Sequence, residues 1–347
     1  MKSVQSYLEN RLKNCSSYSL TDSDRENIET KGIESYLFNK LTTKKFRKWR
    51  LDPACEARTK KAIHIAVSHN KPIHVVYFLG GYKLWRLPSS PEADWAEFFN
   101  IAYVLEYLSP IAAAYKPGVI LSYFTHTLLM ERHDNLDITE INTYMNSLQI
   151  ILNSFLKYTP VNMTARIWRD EDLYGRDEYF KALDEGLEDA KKQYELASAE
   201  KQMNWQKLGR LNIKWKGKED WNGLNEEEKK KKIVKGIYFE IAAVNVLKRF
   251  QMTAKGEDKV CIFTEASPLF IGTGSTKNSI VKHWTGFGVL EKRNENYEDR
   301  ILSPSQLEQV NTIPSKTFPI SLIPLSNLKQ ISLFNTPSKF THTIAKK

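Results

Sequence analysis

Apolar positions along this chain alternate between a helical period and short, dense runs. From Ala54 to Asn70 they fall at helical spacing, with Ala62, Ile65 and Ala66 on one face. Lys71 and Pro72 break that pattern. The run IHVVYFLGG (73–81) that follows is β-branched and aromatic and closes on two glycines, which predicts a buried strand. A second helix is predicted from Ser90 as N-cap and Pro91 at the first helical position, with Glu92 and Asp94 at the positive end of the dipole. Trp95, Phe98, Phe99, Ala102 and Leu105 form its apolar stripe, and Pro110 is expected to kink or divide it. KPGVILSYFTHTLLME (116–131) reads as a strand after a Pro-Gly turn, with a break or short hairpin near Thr125. A helix capped by Asp137 and a third strand, VNMTARIW (161–168), complete the series. Strand, helix, strand, helix, strand at this spacing predicts an α/β fold with a mostly parallel, Rossmann-like sheet flanked by helices.

The rest of the chain is organised around that core. Residues 1–53 form an amphipathic, basic lead-in with one or two helices, and 54–174 the first half of the α/β core. Residues 175–224 are dense in charge at helical spacing and read as a charged helical insertion. Residues 225–302 supply the second half of the core. There a helix capped by Asn225 precedes the strands KVCIFTEAS (259–267) and VKHWTGFGVLEKR (281–293), whose alternation glycines weaken. From 303 to 347, prolines, serines and threonines separate short apolar runs, and an irregular tail wrapping over the body is expected.

Composition narrows the class. At 347 residues with 41% hydrophobic and 27% charged side chains, the chain is ordinary for a globular protein with a large core. No run of about 18 apolar residues occurs, so no membrane span is expected. The first residues lack an apolar signal core. The three cysteines, Cys15, Cys55 and Cys261, are far apart and form neither a disulfide framework nor a CxxC site, consistent with a reducing cytoplasm. The net charge of +10 favours anionic partners: nucleic acid, acidic membrane or phosphorylated metabolites. It is spread out, with clusters only at 42–50 and 226–235.

Chemistry is expected at the carboxyl ends of the strands. The loop 80–90 lies there, between a strand end and a helix start, and Lys83 and Arg86 are placed to grip a phosphate or carboxylate. The glycine-rich FIGTGSTKNS (270–279) matches no nucleotide-binding motif but brings Lys277 to a loop that can close over an anion. Among the histidines, His126 and His283 sit at strand ends and are the candidates for proton transfer, whereas His74, inside a strand, is expected to be hydrogen-bonded in the core. No HExxH, HxH or Cys/His pairing occurs, so no metal is expected, and no GxSxG elbow is present.

The lysine-bearing loop at Lys83, the proline-acidic helix start at 88–97 and the turn Tyr115-Lys116-Pro117-Gly118 stand in the order seen in the isonitrile (isocyanide) synthases. The chain resembles that family over residues 60–295, through IYFEIAAVNVLKRF and the two later strands. It departs from the family at Lys83-Leu84-Trp85-Arg86, at Ser122-Tyr123-Phe124-Thr125, and in the inverted pair His283-Trp284. The resemblance implies condensation of an amino acid's amine with the carbonyl of a sugar phosphate of the ribulose 5-phosphate type, a carbon–nitrogen bond-forming lyase or transferase of specialised metabolism; no cofactor is expected. It assigns Lys83 and Arg86 to the phosphate, with Lys277 added as an anion contact from the closing loop, His126, Asp134 and His283 to acid–base work, and Tyr82, Trp85 and Trp284 to the substrate pocket. The competing class is a basic module that binds nucleic acid or protein: 16 tyrosines and 8 tryptophans would serve base stacking. No RNA-recognition, helix-turn-helix or zinc-finger signature supports it.

Overall fold

A computed structural model describes residues 3–47, 49–79, 90–133, 135–173, 175–213, 223–249, 258–264, 266–274, 283–284, 286–317 and 323–335. The lead-in forms three helices, α1 (Val4–Asn14), α2 (Asp22–Lys31) and α3 (Ile33–Leu41), followed by α4 (Pro53–Ser68). Then come β1 (Ile73–Phe78), α5 (Trp95–Ala114), β2 (Val119–Thr125), α6 (Thr127–Arg132), α7 (Ile138–Leu156) and β3 (Met163–Arg169). The short α8 (Asp170–Leu173) precedes three longer helices, α9 (Arg176–Glu195), α10 (Ala199–Ile213) and α11 (Glu226–Arg249). The chain continues through β4 (Lys259–Phe263), β5 (Ile271–Gly272), β6 (Phe287–Arg293) and β7 (Asn296–Leu302). It closes with α12 (Pro304–Leu307), β8 (Thr312–Lys316) and β9 (Gln330–Asn335).

Among the described residues, β3-β2-β1-β4-β5 form a parallel sheet in that order, so the Rossmann-like α/β core is present. Alternation along the strands sends Val75, Tyr77, Leu121, Tyr123, Val260 and Ile262 into one apolar core with α5, α7 and the lead-in helices. Val76, Phe78, Phe124 and Cys261 face the other way. They pack with Tyr179, Ala182 and Leu183 of α9 and with Phe239, Ala242 and Val246 of α11. The charged segment from 175 therefore turns its apolar stripe to the sheet and its charge to solvent, and it covers the second face. No helix among the described residues is long and apolar enough to cross a membrane.

Four local expectations change. Ser90 is not the N-cap of α5: its hydroxyl takes the Glu92 amide at 3.4 Å, and the helix begins four residues later. There Asp94 and Glu97 form a capping box, Asp94 accepting from Ala96 and Glu97 from the Asp94 amide at 2.9 Å. Pro110 does not divide α5, which runs on to Ala114; the Glu106 carbonyl that loses its usual amide donor accepts the Ser109 hydroxyl at 2.9 Å instead. β2 forms no hairpin at Thr125: the strand stops and α6 begins. Residues after 303, expected to be irregular, supply β8 and β9 to a second sheet of order β7-β6-β9-β8 among the described residues. Short apolar runs broken by prolines hid those strands, because β8 is an exposed edge in which Pro314 needs no ladder donor.

Glycine permits two close approaches that position these layers. Gly118 has φ +81° in the predicted Pro-Gly turn, where a Cβ would fall 1.8 Å from the Asn162 carbonyl oxygen. Gly288 of β6 lies against the start of α5, with its missing Cβ 2.3 Å from the Trp95 carbonyl carbon.

Candidate active site

The carboxyl edge of the parallel sheet carries two separate polar constellations, one on each face. The first arises from strand register. Thr125 of β2 is the partner of Arg169 of β3, so the residues that follow them, His126 and Asp170, leave the sheet side by side. His126 Nδ1 lies 3.7 Å from Asp170 Oδ1. Asp170 has no exposed surface, and its Oδ2 accepts the Leu128 amide at 3.1 Å. Burial pushes the Asp170 carboxyl pKa up, opposed by His126 and the Leu128 amide. The His126 ring is stacked on Phe78, with centroids 6.1 Å apart, and meets Phe124 edge-on at 5.1 Å. Phe263 and Phe270 pack on Phe78 at 5.8 and 5.2 Å, which makes the surroundings of the imidazole apolar.

The second constellation is fully buried. Glu97, in the first turn of α5, accepts the Asp94 amide through Oε2 and the Tyr144 hydroxyl through Oε1, the latter at 3.3 Å. His283 Nε2 stands 3.7 Å from Glu97 Oε1, with both side chains at zero exposure. Trp284 meets the His283 ring at 90° and 5.1 Å. Close by in the same core, Asn100 donates to the Tyr77 hydroxyl at 2.9 Å, a phenol whose pKa burial raises.

Each candidate histidine is thus held against a buried carboxylate, the arrangement that orients an imidazole. Trp284 adjoins His283. Lys83, Arg86, Lys277, Tyr82, Trp85 and Asp134 lie outside the described residues. His74 is hydrogen-bonded in the sheet, to the Ser122 hydroxyl at 2.8 Å. Sequence reasoning missed Asp170, Glu97, Tyr144, Asn100 and Tyr77. For Asp170 the available signal was an acid standing directly after the third strand, and for Glu97 an acid three residues after an Asp, the spacing of a capping box.

Two cavities lie elsewhere. One of 410 Å³ sits under the lead-in helices, where Arg11, Lys40, Lys45 and Glu106 line it. Another of 870 Å³ opens between the α6–α7 turn and α9 and α11, lined in part by Arg132, Arg176 and Lys235. Arg132 and Arg176 are already paired, with Asp184 and Glu131. Among the described residues no group of three or more His, Cys, Asp or Glu is arranged to hold a metal ion.

The chain matches no protein-family profile and no curated protein. Its structure is similar to the crystal structure of the PvcA protein from Pseudomonas aeruginosa, with a TM-score of 0.63, 13% sequence identity, and coverage of 87% of this chain and 99% of that one. At that identity the likeness is one of fold alone.

Proposed function

We propose that this chain is an isonitrile-synthase-like enzyme that joins the amine of an amino acid to the carbonyl carbon of a phosphorylated ketose of the ribulose 5-phosphate type. The observation that carries this reading is the placement of His126 against Asp170 and of His283 against Glu97, at the carboxyl edge of a parallel sheet whose fold is that of PvcA. Ligands of open α/β sheets bind at that edge. Amine addition to a carbonyl needs a base to take the ammonium proton and an acid to release water from the adduct. A histidine oriented by a carboxylate serves either step. In this reading His126 and His283 divide the acid–base work with Asp134. Lys83, Arg86 and Lys277 hold the phosphate, and Tyr82, Trp85 and Trp284 line the amino-acid pocket.

The test uses the purified full chain. Calorimetry measures binding of ribulose 5-phosphate and a panel of free amino acids, and mass spectrometry then looks for an isonitrile product. Saturable binding of the sugar phosphate, lost in Lys83→Ala, together with turnover reduced by about 100-fold or more in His126→Ala or His283→Ala, is the expected result. Absence of binding by any phosphorylated metabolite overturns the reading.

A further inference from the structure

One oxygen of Asp170 is buried without a donor. Oδ2 takes the Leu128 amide, but Oδ1 has no hydrogen-bond partner, and neither does the buried His126 Nδ1 that faces it across 3.7 Å. An acceptor buried without a donor is unfavourable, because it has given up water and gained nothing in return. Here the unpaired acceptor and the unpaired ring nitrogen are 3.7 Å apart. A modest rotation of the imidazole brings them within the about 2.7–3.2 Å of an N–H···O bond. Both residues leave adjacent strands in fixed register, and Phe78 and Phe124 hold the ring from its face and edge. Nδ1 is shielded while the side chain keeps 17% of its surface exposed, so that exposure belongs to its other atoms.

We propose that Asp170 is the positioning residue of His126: it accepts the Nδ1 proton, fixes the imidazole as the Nδ1–H tautomer, and leaves the Nε2 lone pair as the base presented at the sheet edge. The other charged groups on these segments are engaged elsewhere. Glu171 accepts the Thr127 hydroxyl and stands 3.6 Å from Arg169, and Glu131 pairs with Arg176. The catalytic consequence rests on the function proposed above; the tautomer itself does not.

The test is long-range proton–nitrogen NMR on the full chain labelled at histidine nitrogens, at about pH 8, where histidines are ordinarily neutral. The His126 signals are assigned by their loss in His126→Gln. The wild type is expected to show Nδ1 protonated and Nε2 bare. In Asp170→Asn the side-chain oxygen can keep the Leu128 amide while its NH2 turns to the ring, so Nδ1 becomes an acceptor and the tautomer inverts to Nε2–H. A thermal melt of the same variant reports whether it folds. A wild-type Nε2–H tautomer overturns the proposal by itself, whether or not the variant folds, and so does an unchanged tautomer in a folded variant. If the wild type turns over, Asp170→Asn lowers kcat by about 100-fold or more with KM little changed. A wild type that shows the Nδ1–H tautomer but no turnover sinks the functional reading and leaves the assignment of Asp170 standing.

Discussion

Glu97 Oε1 and His283 Nε2 stand 3.7 Å apart at zero exposure, joining the first turn of α5 to a segment just before β6. The carboxylate has two further tasks, closing the α5 capping box and accepting the Tyr144 hydroxyl. A side chain with three buried partners is a fold element as much as a chemical one.

The prediction separates those roles. Glu97→Ala removes the Glu97 half of the capping box and takes this acceptor from the Tyr144 hydroxyl and the Asp94 amide, at a cost of about 3 kcal/mol. Glu97→Gln keeps an oxygen for one of those donors while losing the charge facing His283, and it costs about 1 kcal/mol. Urea denaturation of both variants measures the difference. Equal losses would show that the oxygen kept by glutamine contributes no stability, and would place the loss in the charge facing His283.

Arg11 and Asp299 tie the lead-in to the second sheet. Arg11 Nε lies 2.8 Å from Asp299 Oδ2, Tyr7 donates to Oδ1 at 2.8 Å, and Arg11 also reaches Glu106 at 3.1 Å. Asp299→Ala strands a largely buried guanidinium, and because Glu106 remains the expected loss is about 3 kcal/mol, at the low end for a broken buried pair. Arg11→Met in the Asp299→Ala background removes the stranded charge and should recover part of that loss. A double variant no more stable than Asp299→Ala alone would refute this account.

Gly288 sets how closely β6 approaches α5. A Cβ there would lie 2.3 Å from the Trp95 carbonyl carbon and 2.4 Å from the Ala96 nitrogen, both backbone atoms that cannot swing aside. Gly288→Ala is expected to destabilise by about 3 kcal/mol, the upper part of the range for overpacking. Gly32→Ala provides a comparison, since nothing stands within 4 Å of its Cβ although its backbone, at φ +79° and ψ 160°, lies in a region nearly reserved for glycine; that change should cost about 1–3 kcal/mol of backbone strain with no overpacking. Denaturation midpoints in the reverse order would remove the close approach as the reason for glycine.

What the sequence revealed depended on whether local pattern or distant register decided the outcome. β1, α5, β2, α7 and β3 announced themselves through period, Pro-Gly punctuation and caps, because each buries a face set by its own residues. The sheet of β6 to β9 did not, since β9 pairs in parallel with β6 across a long stretch of chain. Glycine weakening the alternation of β6 was visible, but its cause, the start of α5 pressed against Gly288, was not. The site divides in the same way. His126 and His283 were found as histidines at strand ends, yet the partners that make them chemically interesting are acids whose burial follows only from the β2–β3 register and the position of the α5 cap.

His74 offers a test in solution. Its Nε2 lies 2.8 Å from the Ser122 hydroxyl, and Arg166 Nε reaches the same oxygen at 3.3 Å. Burial, with Lys259 and Arg166 adding to it and Asp258 opposing, lowers the imidazole pKa from 6.5 to about 4. The folded chain therefore keeps His74 neutral while the unfolded chain takes up the proton as pH falls below the ordinary histidine range. The unfolded state then binds more protons, so the contribution is fully present above about pH 6.5 and is lost progressively as pH falls towards about 4. Partial exposure of the ring screens the effect, and about 2 kcal/mol is expected across that window. His74→Gln can still hydrogen-bond to Ser122 and has no titration of its own, so its stability should fall less than the wild type's between neutral and acid pH in parallel urea denaturations. Carboxylates elsewhere titrate equally in both chains and cancel in the comparison. Identical pH dependence in the two chains would show that His74 is charged alike in the folded and unfolded states, and the buried, cation-flanked environment at the middle of the sheet would have to be abandoned.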